Sequence, residues 1–517
     1  MACTMPPPVD DRPTGPIVGP TVGPTPIGPG VLRIAITSLP AADPRALDTP
    51  DGLFLASMMF DGLVDYDART QEAVPAAAQR WQVLEGGRLF VFRLRNGVQF
   101  HDGTPVRAQD FVAAWNRLAD PFRPSPFAFL LERVDGFDEY NVTLDQDHIT
   151  GVIARDDLTL EVRLTDPWPD FVSLLGHPAL SPVPEAAAFP GYSARPVGNG
   201  PYQLTGELAP GAPIALTAFP AYHGGPSGEA GVELAVYGDP EAAWPDFVAG
   251  DLEVSPIPAG LVSEAEAQFG SEGVVTLARL VHCGFNLRDP RLRSPALRRA
   301  VALAIDRNRL VDRVYGTVAV AADGVVPPTL PGYGRGACGP LCRQDLAEAA
   351  ALVAGLPPRS RSFALDYAAS PVGDRLAREL ASQLGEVGLE ARPRAHQERE
   401  YRELLERDGQ RFFCLVSVAD YPRQQALLEP LLLSTSPDNH TGLEDARLDS
   451  LLERAREARD AGDRERLYRQ AERRGLSLAP LVPLAWFRSR LAAGTDVEGL
   501  AVNPLGGFDA AALSVQL

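Results

Sequence analysis

From residue 31 onward the chain switches repeatedly between two hydrophobic periods. "GRLFVFRLRNGVQF" (87–100) alternates apolar and polar positions, which predicts a half-buried strand or hairpin. "VLRIAITS" (31–38), "LARLVHCGFNL" (277–287), "SFALDYAA" (362–369) and "RFFCLVSVADY" (411–421) read as further strands, several of them buried on both faces. Helical spacing takes over in between. Ala108, Phe111, Val112, Trp115 and Leu118 share one face, with Thr104 as the expected cap and Pro105 at the first position. The clearest helix spans 294–316: Ser294 caps it, Pro295 opens it, and Leu297, Val301, Ile305, Leu310 and Val314 form its stripe before Gly316 stops it. An Arg/Glu-rich helix is predicted from about Glu444 to Ser477. Strands and helices in alternation imply an α/β fold with mixed sheets.

With 517 residues the chain is too long for one core, and 45 % apolar residues suffice to build two or three. No run of 18 apolar residues is present, so no membrane span is predicted. The first 30 residues, dominated by proline, glycine and threonine, cannot bury a core and read as an extended tether. Cys3 begins that tether without a signal peptide before it, and resembles the mature start of a bacterial lipoprotein. The alternative is an ordinary free thiol. All basic residues are arginine, and the net charge of −19 argues against nucleic acid, whose binding requires cations against phosphates. Cys338 and Cys342 in "GACGPLC" are close enough for a small disulfide loop, while Cys283 and Cys414 in apolar strands read as buried thiols.

Catalytic patterns are missing. No GxSxG, HExxH or lysine-bearing phosphate loop occurs, and the GxGxxG match at 334–339 lacks a preceding strand. His396 and Glu400 are spaced i, i+4, but two residues make no metal site, and a solvated helix face is the plainer reading. No cofactor or metal is expected.

The order of segments carries more information than any one of them. "DGLVDYD" precedes "GRLFVFRLRNGVQFHDGTPVRAQDFVAAWNR"; "RPVGNGPYQL", "FNLRDPRLRSPALRRAVALAIDRNRLVDRVYG" and "SVADY" follow. This series, across residues 31–517, resembles the extracytoplasmic solute-binding proteins of ABC importers, in the peptide- and nickel-binding family that includes oligopeptide- and dipeptide-binding proteins. The resemblance implies a two-lobed clam shell with an extra α+β domain on the first lobe. Residues 31–55, 190–275 and 488–517 would form lobe I, 56–189 the extra domain and 276–487 lobe III, after a tether at 1–30.

It also implies a role for Asp420: in peptide binders the aspartate of this segment pairs with the ligand's α-ammonium, and the alternative is an aspartate that caps a turn. Ser417 stands where the family often has tryptophan, "PRQQ" replaces the usual acidic-proline continuation, and Asn199 varies a "GTGPY" motif. Leu39, Phe285, Asn286 and Trp486 are further ligand-contact candidates. The expectation is therefore a monomeric, lipid-anchored binding protein outside the cytoplasmic membrane, handing a short peptide to ABC permease subunits. A scaffold or regulatory lipoprotein of the same fold is one alternative, and a hydrolase with an unrecognised carboxylate pair is another.

Overall fold

The structure, a computed structural model, describes residues 30–47 and 49–516. These form two compact units, one of residues 276–489 and one of residues 30–275 and 490–516. Cys3 and the proposed tether lie outside the described residues.

The larger unit is built on a six-stranded sheet in the order Leu491–Ala493, Val254–Pro256, Val31–Ile36, Gly231–Val236, Ile214–Ala218, Tyr202–Leu204. Val31–Ile36 runs parallel to both of its neighbours and the outer pairs are antiparallel. A second, antiparallel sheet orders Ala78–Leu84, Leu89–Leu94, Thr159–Arg163, Val152–Asp156. The alternation predicted there is real: Phe90 and Phe92 are fully buried while Val91 and Arg93 are half-buried. Phe111 and Trp115 of the helix Ala108–Leu118 are also fully buried, and Trp115 Nε1 donates to Leu180 O at 2.9 Å.

That helix starts later than the sequence suggests. Pro105 bridges to Gln99 and Thr104 O accepts from Phe100 N, so both residues close a hairpin. The start is fixed instead by Asp110, whose carboxylate accepts Arg107 N at 2.7 Å. The neighbouring His101 docks on the "GNGPY" turn. Its Nδ1 accepts from Gly198 N and its Nε2–H donates to Gly200 O, which fixes the tautomer. Asn199 clamps Asp61 from both sides, Oδ1 accepting from Asp61 N and Nδ2 donating to Asp61 O. A Cβ at Gly198 would overlap Met59 O, so the turn tolerates no side chain there. Two of the most recognisable motifs are thus one structural joint.

The smaller unit is organised on a mixed sheet in the order Ala319–Ala321, Leu481–Arg488, Thr276–Phe285, Phe412–Val418, Ser362–Ala368, Glu390–His396. The first four strands are antiparallel neighbours, and Ser362–Ala368 runs parallel to the strands on either side. One face packs Val281, Cys283, Phe285, Phe412 and Leu365 against Leu297, Val301, Leu310, Leu380 and Leu384.

Both long predicted helices are broken, each time by an aspartate that caps a new start. The 294–316 stretch divides into Pro295–Ala304 and Arg307–Val314, with Asp306 accepting Arg309 N. The 444–477 stretch divides into Ala446–Glu457 and Ala461–Ser477, with Asp460 accepting Asp463 N. The buried Arg307 spends its fork on the carbonyls of Pro483, Ile305 and Leu341, and Arg298 is held by four or more such contacts to Leu292, Arg293, Leu478 and Ala479.

Two further expectations are corrected. His396 ends a strand rather than joining a helix face, and its Nε2 lies 2.9 Å from Asp366 Oδ1. Cys283 and Cys414 are not free thiols: the register of their antiparallel strands sets them directly opposite, and they are joined as a disulfide. Cys338 and Cys342 are joined as well.

Candidate functional site

The strand Phe412–Val418 lies between Thr276–Phe285 and Ser362–Ala368. Ala419 N still reaches Ala278 O at 2.9 Å, so the ladder holds to the residue before Asp420. The chain then turns. Arg423 N donates to Tyr421 O, Gln424 Nε2 donates to Gly332 O at 2.7 Å, and the helix Gln425–Leu432 follows. Asp420 is therefore held at a rigid strand end by its neighbours' backbone rather than by its own side chain.

That side chain is the unusual one. Asp420 is half-buried, and its carboxylate has no hydrogen bond or ion pair to any described residue. Burial, and after it the charge of Asp438, pushes its carboxyl up to about 7. A crowded carboxylate without a partner is an unfilled acceptor for a cation.

The surrounding residues explain its solitude. Ser417, opposite Leu280, turns its hydroxyl to His282 Nε2 at 3.0 Å. His282 is buried, and burial followed by the charge of His440 drives it down to about 3, so it is a neutral imidazole at pH 7. It offers Asp420 no charge. On the far side of the central strand, Trp486 is 3 % exposed; its Nε1 donates to Val325 O and its ring meets Tyr333 edge-on. The loop carrying Val325 is fixed by Glu472, whose Oε1 accepts Val325 N at 2.7 Å and Val326 N at 3.0 Å.

The other candidates separate clearly. Phe285 is completely enclosed and stacks on Phe412 with centroids 4.7 Å apart, which makes it a core residue and not a ligand contact. Asn286 is also corrected to a structural role: its Nδ2 donates to the carbonyls of Asp408 and Gln410, pinning the approach to the Phe412–Val418 strand. Leu39 is on the surface of the larger unit, 38 % exposed, in a segment braced by Asp51, which accepts from Thr37 and Ser38. Sequence reasoning passed over Arg279, opposite Val418; an arginine inside an otherwise apolar strand is the signal that marks it. Among the described residues no cluster of three or more His, Cys, Asp or Glu side chains is placed to hold a metal, and no helix is long and apolar enough to cross a membrane.

The site offers one half-buried carboxylate without a partner among the described residues, set in a mixed α/β unit. Comparison with known proteins makes this specific. The family model described as bacterial extracellular solute-binding proteins, family 5 Middle, matches residues 72–439, and the chain belongs to that family. It is 29 % identical over 480 residues to the probable deoxycholate-binding periplasmic protein YgiS of Escherichia coli K12, covering 89 % of each chain. It is 26 % identical over 488 residues to the dipeptide-binding protein DppE of Bacillus subtilis 168, covering 90 % of this chain and 89 % of that one. The fold matches the unliganded open form of MppA, a periplasmic murein tripeptide binding protein, with a TM-score of 0.81 and 24 % identity over 94 % of this chain and 97 % of that one. The chain is thus an extracytoplasmic binding protein and not an enzyme, and the hydrolase alternative is set aside.

Proposed function

We propose that the protein captures a short peptide with a free amino terminus and delivers it to an ABC permease, with Asp420 as the acceptor of the ligand's α-ammonium. The observation that carries this reading is the unpartnered, crowded carboxylate at the strand end. Names of relatives support it, among them the dipeptide-binding protein DppE and the oligopeptide-binding protein OppA of Escherichia coli. An ammonium ion supplies the charge that the protein withholds, and the pair forms only when ligand is present. Cys3 as a lipid attachment site would keep a monomer at the membrane that houses the permease. A second reading has one observation in its favour: the relative named as deoxycholate-binding suggests an amphipathic acid, a ligand with a carboxylate and no amine.

Calorimetry separates the two. Asp420→Asn keeps the shape and removes the charge, and should weaken binding of the tripeptide Ala-Phe-Ala by a hundred- to several-thousand-fold, about 3–5 kcal/mol. N-acetylation of the tripeptide should cost the wild type a similar factor and the variant little. Since Asp420 protonates near pH 7, wild-type affinity should fall by up to about tenfold per pH unit below that point. A coupling near zero between D420N and acetylation, with each change harmless alone, would sink the amine reading.

A further inference from the structure

The Thr276–Phe285 strand carries an arginine in its apolar run, and the pairing around it is irregular. Thr276 faces Arg488 and Leu280 faces Trp486, so residues 277–279 stand against Phe487 alone. A bulge of this kind re-aims a side chain. Here it brings Arg279 Cζ to 5.0 Å from the centroid of the Phe487 ring, which Tyr315 braces edge-on at 5.5 Å. The guanidinium is thereby held in place. Its donors, however, are unspent. Nε is enclosed without a hydrogen-bond partner, and no described residue accepts from or forms an ion pair with the rest of the group. Burial is the cause that lowers its pKa, and no neighbouring carboxylate raises it.

The contrast within the same unit is informative. Arg298 and Arg307, which are more deeply buried than the half-buried Arg279, are saturated by backbone carbonyls. Those two arginines build the fold. Arg279 does not close a single such contact, and an aromatic stack compensates only part of the desolvation of a cation. Among the described residues nothing accepts a hydrogen bond from its guanidinium, and Nε is enclosed.

We propose that Arg279 is an anion-recognition residue that takes a carboxylate of the ligand. Arg279 stands opposite Val418, two residues before Asp420 on the adjoining strand. The unit of residues 276–489 thus offers an anion donor and a cation acceptor on neighbouring strands of one sheet, a pattern suited to a zwitterion. This inference rests on the reading of the Asp420 corner as the ligand site. The carboxylate could be a peptide's terminus or that of an amphipathic acid; the guanidinium fork fits either.

The test is calorimetry with Ala-Phe-Ala, its C-terminal amide and deoxycholate, on the wild type, R279Q, R279K and D420N. The wild type should bind the free acid about 30-fold more tightly than the amide, the worth of a charge-assisted hydrogen bond. R279Q should lose that preference while holding the amide within about threefold of wild type, and R279K, which keeps the charge without the fork, should retain part of it. Unliganded R279Q should melt within about 2 °C of the wild type, because the lost stack on Phe487 is offset by relief of the desolvation of an unpaired charge. Equal affinities of wild type and R279Q for the free acid, or a marked drop in R279Q melting temperature with affinities unchanged, would overturn the inference and make Arg279 a structural clamp. If the wild type binds neither tripeptide, the peptide reading falls, and deoxycholate decides for Arg279: a loss of about 30-fold in R279Q sustains it, and equal affinity removes it. A wild type that takes none of the three probes overturns both.

Discussion

Two aspartates, the buried Asp43 in the larger unit and the half-buried Asp420 in the smaller, have opposite surroundings. Asp43 is fully enclosed, and burial alone would raise its carboxyl; Arg117 prevents this with two parallel bonds of 2.6 Å, and Arg45 N and Ser193 Oγ add two more, so the group titrates below the usual range. Asp420 receives none of these and titrates near 7. The first arrangement is complete in the chain itself and ties distant segments together. The second has no partner among the described residues, and under the proposed function a ligand's ammonium would supply it. A buried charge is informative about function to the extent that its own fold leaves it unserved.

Four measurements sharpen or break this contrast. The largest effect is expected from removing the Cys283–Cys414 link by the double change to alanine. It closes a loop of 131 residues, and chemical denaturation should show a loss of about 5 kcal/mol on chain-entropy grounds. Next is Arg117→Met, which leaves Asp43 buried without its cation and should cost about 3–5 kcal/mol in the same assay. A small effect there would mean that paired and unpaired carboxylates matter equally little to this fold. Third is replacement of Cys338 and Cys342 by alanine. Their separation of four residues limits the loss to about 2 kcal/mol, and thiol counting with and without reductant establishes the pairing.

At pH 5 the smallest change is expected from Asp420→Asn on the unliganded protein. Its folded carboxyl titrates near 7, above the unfolded value, so the native state holds the extra proton between about pH 4 and 7 and stability declines as pH rises through that window. The variant should melt within about 2 °C of wild type at pH 5 and above it at pH 8. A variant that melts lower at pH 8 would show that Asp420 has a stabilising partner after all.

Much of the fold was legible in the sequence because hydrophobic periods report local geometry directly. The strands at 31–36, 276–285, 362–368 and 412–418 fall where alternation or apolar runs placed them. What periodicity could not convey is which strands lie side by side. The Cys283–Cys414 pair depends on the register of two strands far apart in sequence, and each cysteine alone looks like core. The breaks at Asp306 and Asp460 were hidden for a different reason: an aspartate in a charged helix passes for surface until its carboxylate is seen on a backbone N–H. Within the candidate site, the proposal for Asp420 comes from its motif, and the structure adds that its carboxylate has no partner among the described residues. Phe285 and Asn286 were misjudged because nearness in sequence to a strand end does not say which way a side chain faces. That neither Asp420 nor Arg279 has a partner among the described residues is a property of everything around them, and no sequence window contains it.

The two disulfides also have a history in time. A protein that works outside the cytoplasm presents its cysteines to oxidant in chain order, and Cys283 is followed by Cys338 and Cys342 well before Cys414, its proper partner, arrives. During that interval the only thiols within reach, among the described residues, are wrong ones. A link that spans four residues can close as soon as it emerges, and in doing so it withdraws both decoys. Order of closure would then give the modest loop at 338–342 a part in the assembly of the large one at 283–414 that a measurement on the finished molecule does not register.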